Sequence, residues 1–234
     1  MSSIGSAAGT FSVDQFQDAG FTVVKEILTP SDCERLAGHI SALRISSVGT
    51  RNLMTLSWCK GLAERLREHS ALRNLIPRSY VAAQCTYFEK SLRRNWLVPM
   101  HQDLSIPVAR RVAHTSLRGW SEKEGSIFVQ PPTELLDQVL AVRVHVDACA
   151  LEDGPLVVVP GSHRYGRLTN EETLHLRGET APVPCTLGQG DVLAMRPLLL
   201  HRSSKASGKN LRRLLHFVFG PNELPFGLTW KIAA

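Results

Sequence analysis

The chain has 234 residues, 43% hydrophobic and 21% charged, and its 27 Lys and Arg against 21 Asp and Glu leave a formal charge of +6. This composition excludes a disordered chain, and no apolar run approaches the ~20 residues that a bilayer-crossing helix requires. The basic residues are dispersed, Arg110-Arg111 and Arg212-Arg213 being pairs rather than patches. No nucleic acid and no membrane is therefore expected as a partner, and a small-molecule substrate of anionic or polar character suits the charge better.

Residues 1–10, MSSIGSAAGT, are small and polar and read as a flexible tail, without the basic start and apolar stretch of a secretory signal. Residues 11–234 read as one domain. The five cysteines, Cys33, Cys59, Cys85, Cys149 and Cys185, are scattered and contain no CxxC pair, which argues against a disulfide framework or a zinc cluster and points to a cytoplasmic location.

In chain order, Ser12 and Gln15 have capping-box spacing and Gly20 ends the short helix they would open. A strand-like FTVVKEIL follows over 21–28. Thr29-Pro30-Ser31 opens a second helix, with Glu34 placed to reciprocate Ser31, and Cys33, Leu36, Ala37, Ile40 and Leu43 form an apolar stripe at helical spacing. Trp58, Leu62 and Leu66 mark a third helix by the same period. These helices are expected to brace a sheet.

From Tyr80 onward the pattern changes to short apolar runs separated by Gly, Pro and Asp, the mark of a sandwich or barrel of many strands. The candidates are YVAAQCTYFE, LAVRVHVDA, PLVVVP, APVPCTL, DVLAMRP and RRLLHFVFG. Residues 91–138 read as a long irregular segment, and because candidate metal ligands lie within it, it is expected to form a lid over a site.

His101-Gln102-Asp103 supplies one neutral nitrogen donor and one hard anionic oxygen, separated by a single residue so that both project from one side of an extended strand. With a second imidazole from a distant strand, the set would hold Fe(II) on one face and leave the other open. His201, after Gly188-Gln189-Gly190-Asp191 and the run VLAMRPLLL, is placed at the end of a strand that a tight turn directs toward the core. From the residues alone His145, His114, His163, His175 and His216 compete with it. Asp191, Asp153-Gly154-Pro155 and Pro160-Gly161-Ser162-His163-Arg164 read as turns.

The ordered set FTVVKEILTPSDCERL, NWLVPMHQDLS, QPP, VRVHVDACALEDGPLVVVPGSHR, GDVLAMRPLLLHRSS and RRLLHFVFG resembles the phytanoyl-CoA dioxygenase family of Fe(II)/2-oxoglutarate-dependent oxygenases, over most of the chain. The resemblance implies a mainly β fold with flanking helices and a double-stranded β-helix core, a jelly roll of cupin-like type. It implies that His101, Asp103 and His201 are the iron ligands and the catalytic residues, with Fe(II) as cofactor and 2-oxoglutarate and O2 as cosubstrates. By the same resemblance Arg212 grips the distal carboxylate of 2-oxoglutarate and Ser203 helps to hold it through its hydroxyl. From the residues themselves, Trp120 could stack on cosubstrate or substrate, and Lys90 and, more weakly, Gln84 are further cosubstrate candidates.

An arginine suits that task, since its guanidinium stays ionised and can hold a carboxylate through two parallel hydrogen bonds. Strand alternation puts Arg212 with Leu214, His216 and Val218, and Arg213 with Leu215, Phe217 and Phe219, so only one of the pair reaches the pocket. Periodicity leaves the choice open. The more polar row and the resemblance both favour Arg212.

The implied reaction is hydroxylation or another C–H oxidation of a small molecule, with release of succinate and CO2; the carboxylate at 103, where a small residue would open a halide site, disfavours halogenation. Two other readings stay open: a cupin-like metal-dependent hydrolase or isomerase using the same three residues without O2, and a non-catalytic jelly-roll binder of a small molecule.

Overall fold

The strands carry the site, and their alternation explains how. In the computed structural model, which describes residues 13–43, 45 and 49–234, the elements run α1 (Val13–Ala19), β1 (Phe21–Val24), α2 (Pro30–Ala42), β2 (Gly49–Thr50), α3 (Ser57–Glu68), β3 (Tyr80–Lys90), β4 (Val98–His101), β5 (Ile106–Val108), β6 (Arg118–Lys123), β7 (Ser126–Gln130), α4 (Thr133–Leu136), β8 (Leu140–His145), β9 (Leu156–Val158), α5 (Asn170–Glu179), β10 (Val183–Cys185), β11 (Val192–Met195), β12 (His201–Ser203) and β13 (Arg212–Pro221). The expected tail over 1–10 and the Ser12 cap lie outside the described residues.

Three antiparallel sheets result, a large one in the order β1-β11-β8-β13-β3-β2, a small one in the order β10-β9-β12-β4, and a third of β5-β7-β6. Successive residues of a strand face opposite sides, and here each side has its own partner. Val142 and Val144 of β8, Leu215, Phe217 and Phe219 of β13, and Cys85 and Tyr87 of β3 pack against Leu36 and Ile40 of α2 and Leu62 and Leu66 of α3. On the opposite side Ala141, Leu193 and Met195 pack against Leu156, Val158 and Cys185 of the small sheet. The two sheets lie face to face without closing into a barrel, which is the jelly-roll arrangement. All five cysteines are buried and free.

Several local expectations are corrected. Helix α2 is capped by Thr29 and Asp32 rather than Ser31 and Glu34: the Asp32 N–H donates to Thr29 Oγ1 at 3.1 Å and the Thr29 N–H to Asp32 Oδ2 at 3.0 Å. Pro30 decides this, because its fixed φ and missing N–H suit the first helical position and make the residue before it the cap. The first strand stops at Val24, short of the expected 21–28. Glu26 takes a φ of 57°, and Ile27 and Leu28 both donate to the Gly190 carbonyl at 3.1 Å. That approach requires glycine, since a Cβ at 190 would sit 2.1 Å from the Leu28 carbonyl oxygen.

The segment 91–138 is not irregular. It contains β4, the whole β5-β7-β6 sheet and α4, and Ile106, Val108 and Val129 pack with Leu135 and Leu136 in a core of their own.

Candidate functional site

A cavity of about 460 Å³ opens between the large and small sheets, with part of its wall drawn from the third sheet. The end of it where three side chains could hold a metal ion is built by β4 and β12. These strands pair antiparallel with His201 directly opposite His101, and the two imidazole centroids lie 4.2 Å apart. His201 opens its own short strand rather than ending β11 as expected, and Asp103 lies just beyond the end of β4. The Asp103 N–H is held by the Pro197 carbonyl at 2.8 Å, so the loop that leads into His201 also positions the carboxylate.

Asp103 turns one oxygen to each imidazole: Oδ1 is 3.7 Å from His101 Nε2 and Oδ2 is 3.7 Å from His201 Nε2. One ligand atom from each of the three residues falls within 4.8 Å of the others. Two donors bonded to one ion at about 2 Å can be at most about 4 Å apart, and both His–Asp separations satisfy this. The opposite ring nitrogens are fixed. His101 Nδ1 donates to the Pro99 carbonyl at 2.9 Å and His201 Nδ1 to the Leu199 carbonyl at 2.8 Å. A carbonyl can only accept, so each neutral ring carries its proton on Nδ1 and presents a bare Nε2 lone pair toward the carboxylate.

The charge states of His201 and Asp103 agree with that geometry, and Asp103 pulls His101 the other way. Burial lowers the His201 pKa to about 4, against the pull of Asp103, and keeps the ring neutral. For His101 burial acts the same way but is outweighed by Asp103, and its pKa is raised. Asp103 is held well below the ordinary carboxylate range: burial alone would raise it, and His201, His101 and His216 more than reverse that. Gln102, between His101 and Asp103, ties the strand in place, donating through Nε2 to the carbonyls of Gly166 and Leu198 at 2.7 Å each and accepting from the Leu168 N–H at 2.9 Å.

At another part of the wall, Arg212 is 2% exposed and lines the cavity. Its Nη1 donates to the Gly154 carbonyl at 2.8 Å, and its buried Nε has no partner. Ser203 Oγ donates to the same carbonyl at 3.1 Å and accepts from Lys90 Nζ at 2.5 Å. Lys90 also donates to the Ser204 carbonyl. Lys90 stands opposite Arg212 in the β3–β13 ladder; burial, with Arg212 and Arg143 adding repulsion, lowers its pKa to about 8. Arg213 is on the other side, gripping Asp147 through Nε and Nη2 at 2.8 Å each.

Trp120 is the exception among the expected residues. It lies where β6 bulges between Arg118 and Ser121, packs with the apolar core of the third sheet beneath Arg111, and is not part of the cavity wall. Trp96 lines the cavity instead, with Lys90 Nζ 5.4 Å from its ring centroid. Gln84 reaches the wall and donates to Thr86 Oγ1 at 2.6 Å. His145 is buried with its Nδ1 unpaired and belongs to neither the metal cluster nor the cavity wall. Asp191 is confined to its turn, accepting from Lys25, the Glu26 N–H and the Gly188 N–H.

Arg143 and His216 side by side in the wall were not singled out by sequence as a pair. The available signal was an arginine among valines on a strand whose six residues are all buried.

The model of the phytanoyl-CoA dioxygenase family matches residues 16–214. The chain belongs to this family. No curated protein sequence matches it significantly. Among solved structures it is similar to the epimerase SnoN in complex with Fe3+, alpha ketoglutarate and nogalamycin RO (16% identity, 92% of this chain and 85% of that one, TM-score 0.68). It is also similar to HygX from Streptomyces hygroscopicus with nickel and 2-oxoglutarate bound (18% identity, 90% and 87%, TM-score 0.63) and to EctD from S. alaskensis in its apoform (18%, 99% and 86%, TM-score 0.68). At these identities the likeness establishes the shared fold.

Proposed function

We propose that this family member is an Fe(II)- and 2-oxoglutarate-dependent dioxygenase that oxidises a C–H bond of a small-molecule substrate, releasing succinate and CO2. The observation that carries the reading is the convergence of two bare Nε2 lone pairs and one ionised carboxylate, with both imidazoles locked by backbone carbonyls. In this reading His101, Asp103 and His201 hold Fe(II), a mixed two-histidine, one-carboxylate set that leaves adjacent positions open. Iron supplies the redox chemistry that activates O2 and splits the keto acid.

The chain's own residues do the rest. Arg212, held by Gly154 through one nitrogen and with its Nε unpaired, grips the distal carboxylate of 2-oxoglutarate. Ser203 adds a hydroxyl, and Lys90 adds positive charge behind it. Ile106 and Phe128 of the third sheet, with Leu104 and Leu136, shield the reacting centre from water. The bound alpha ketoglutarate of SnoN and 2-oxoglutarate of HygX, on the same fold, support this use of the cavity.

The test is to add Fe(II) and 2-oxoglutarate without oxygen and look for the visible metal-to-ligand absorption, then admit O2 and measure succinate. Folded protein that gives neither would reject the assignment. Activity of zinc-loaded protein without 2-oxoglutarate would instead support a hydrolase, in which Arg212 has no evident task.

A further inference from the structure

With the cosubstrate assigned to Arg212, a second buried guanidinium still faces the same cavity without a counter-ion. Arg143 is 7% exposed and stands beside His216 in the β8–β13 ladder, with Thr86 on the far side of His216. Its Nη1 donates to His216 Nδ1 at 3.2 Å, and its Nε is buried with no partner. Because arginine can only donate, His216 accepts as a neutral ring, and burial together with Arg143 lowers its pKa to about 3. It therefore cannot neutralise Arg143. The nearest aromatic, Phe88, lies 5.9 Å from the guanidinium carbon.

The charges in the cavity wall do not balance. Arg51, Lys123, Arg143 and Arg212 line it, and Asp103 is the one carboxylate among the lining residues. Arg51 is paired with Glu124 at 2.8 Å, and Lys123 lies at the solvent side above the Phe128 ring. On the reading of the preceding subsection, Fe(II) and the 2-oxoglutarate dianion cancel. Within the wall, Arg212 and Arg143 then stand against Asp103, two positive charges against one negative, leaving a single positive charge that a monoanion would neutralise. The remaining wall is mixed: Trp96, Leu104, Ile106, Phe128 and Leu136 give it an apolar side, and Gln84, Thr86, Ser105 and Gln130 add polar groups.

We propose that Arg143 is the substrate-recognition residue, and that the substrate is a monocarboxylic acid with an apolar body, its carboxylate held by the free edge of Arg143 and its hydrocarbon lying against Trp96, Leu104, Ile106, Phe128 and Leu136. The inference rests on the assignment of Arg212 to 2-oxoglutarate. A carboxylate fits because the guanidinium stays ionised and can donate from nitrogens other than the Nη1 that His216 occupies.

The test uses the Fe(II)-loaded chain saturated with 2-oxoglutarate under anaerobic conditions, titrated with 3-phenylpropanoate and, separately, with its uncharged amide. Binding is followed calorimetrically and by the change in the visible absorption of the Fe(II)–2-oxoglutarate complex. The acid should bind at least about tenfold more tightly than the amide, the difference that one charge-assisted pair supplies. Arg143→Gln should abolish that preference while keeping 2-oxoglutarate affinity within about threefold of the wild type, well inside the loss that a broken charged hydrogen bond causes. Arg143→Lys should retain part of the preference. Equal binding of acid and amide by the wild type, or no binding of the acid, overturns the proposal. So does an Arg143→Gln variant that loses 2-oxoglutarate as severely as Arg212→Ala, which would assign Arg143 to the cosubstrate. If the Gln variant does not fold, the wild-type comparison and Arg143→Lys decide. Failure of the underlying assignment is distinguishable, because 2-oxoglutarate would then produce no visible band with wild-type Fe(II) protein, and the proposal would fall with it.

Discussion

Arg212 donates through Nη1 to the carbonyl oxygen of Gly154 at 2.8 Å, so a glycine in a loop between two strands of different neighbourhoods aims the most buried arginine of the cavity. The adjacent sequence Asp153-Gly154-Pro155 reads as a turn without chemistry, yet its backbone holds Arg212 and Ser203 together.

The two neighbouring arginines should separate cleanly. Arg212→Ala should weaken 2-oxoglutarate binding by about thirtyfold or more, since charge-assisted hydrogen bonds contribute roughly 1.5–3 kcal/mol each. Arg213→Ala should leave that affinity nearly unchanged and lower the melting temperature instead, because it strands Asp147. Anaerobic titration with 2-oxoglutarate and thermal melts of both variants check this; the reverse ranking would mean that the wrong face of β13 has been assigned to the cosubstrate.

Gly154→Ala should damage stability and cosubstrate binding together. Gly154 sits at a φ of 64°, and a Cβ there would lie 2.5 Å from the Ser204 carbonyl oxygen. Strain of this kind costs about 1–3 kcal/mol, and relief by moving the loop displaces the carbonyl that orients Arg212. Denaturant unfolding and 2-oxoglutarate titration should both shift. A change in stability alone would show that the loop can move without disturbing the arginine.

Metal should stabilise the fold through the three converging side chains, His101, Asp103 and His201. A ligand present at about a hundred times its dissociation constant adds roughly 2.7 kcal/mol to a protein that binds it only when folded. Fe(II) or Zn(II) should therefore raise the melting temperature of the wild type and not that of His201→Ala. An equal rise in both would place the ion elsewhere.

Cosubstrate affinity should fall as pH rises through about 8, where buried Lys90 loses its proton. The sign follows from linkage. The folded pKa lies below the ordinary lysine value, so between the two the unfolded chain binds more protons and the cosubstrate-free protein gains stability as pH rises. A dicarboxylate favours the protonated amine, so its binding takes up a proton in that window and weakens above it. Affinity measured from pH 7 to 9.5 should decline for the wild type and stay flatter for Lys90→Met. Identical profiles would remove Lys90 from the electrostatics of this site.

Much of the large sheet and its helices is legible in sequence because one physical rule governs it. Alternation puts Leu215, Phe217 and Phe219 on the helix side and Arg212, His216 and Val218 on the cavity side, and the same period separates Arg212 from Arg213. The third sheet escapes that rule. Strand β6, Arg-Gly-Trp-Ser-Glu-Lys, buries none of its residues fully and carries a bulge, while β5 contains Pro107, so neither shows the apolar alternation that marks a strand. The same bulge accounts for Trp120, whose orientation cannot be read from a regular period. Alternation places Arg143 on one strand face with His145 and Asp147, but a cation on a valine-rich strand gives no indication of what it faces until the opposite wall is known.

The division of labour between sheets has an evolutionary consequence. Register couples His101, His201 and Ser203: slipping β12 by one residue would turn His201 and Ser203 away together, and with them both the proposed metal site and the proposed cosubstrate site. Ile106, Lys123, Phe128 and Gln130 belong to a separate sheet and shape the same chamber. Descendants of this chain can thus reshape the chamber at those four positions while the His101, Asp103 and His201 cluster is inherited intact.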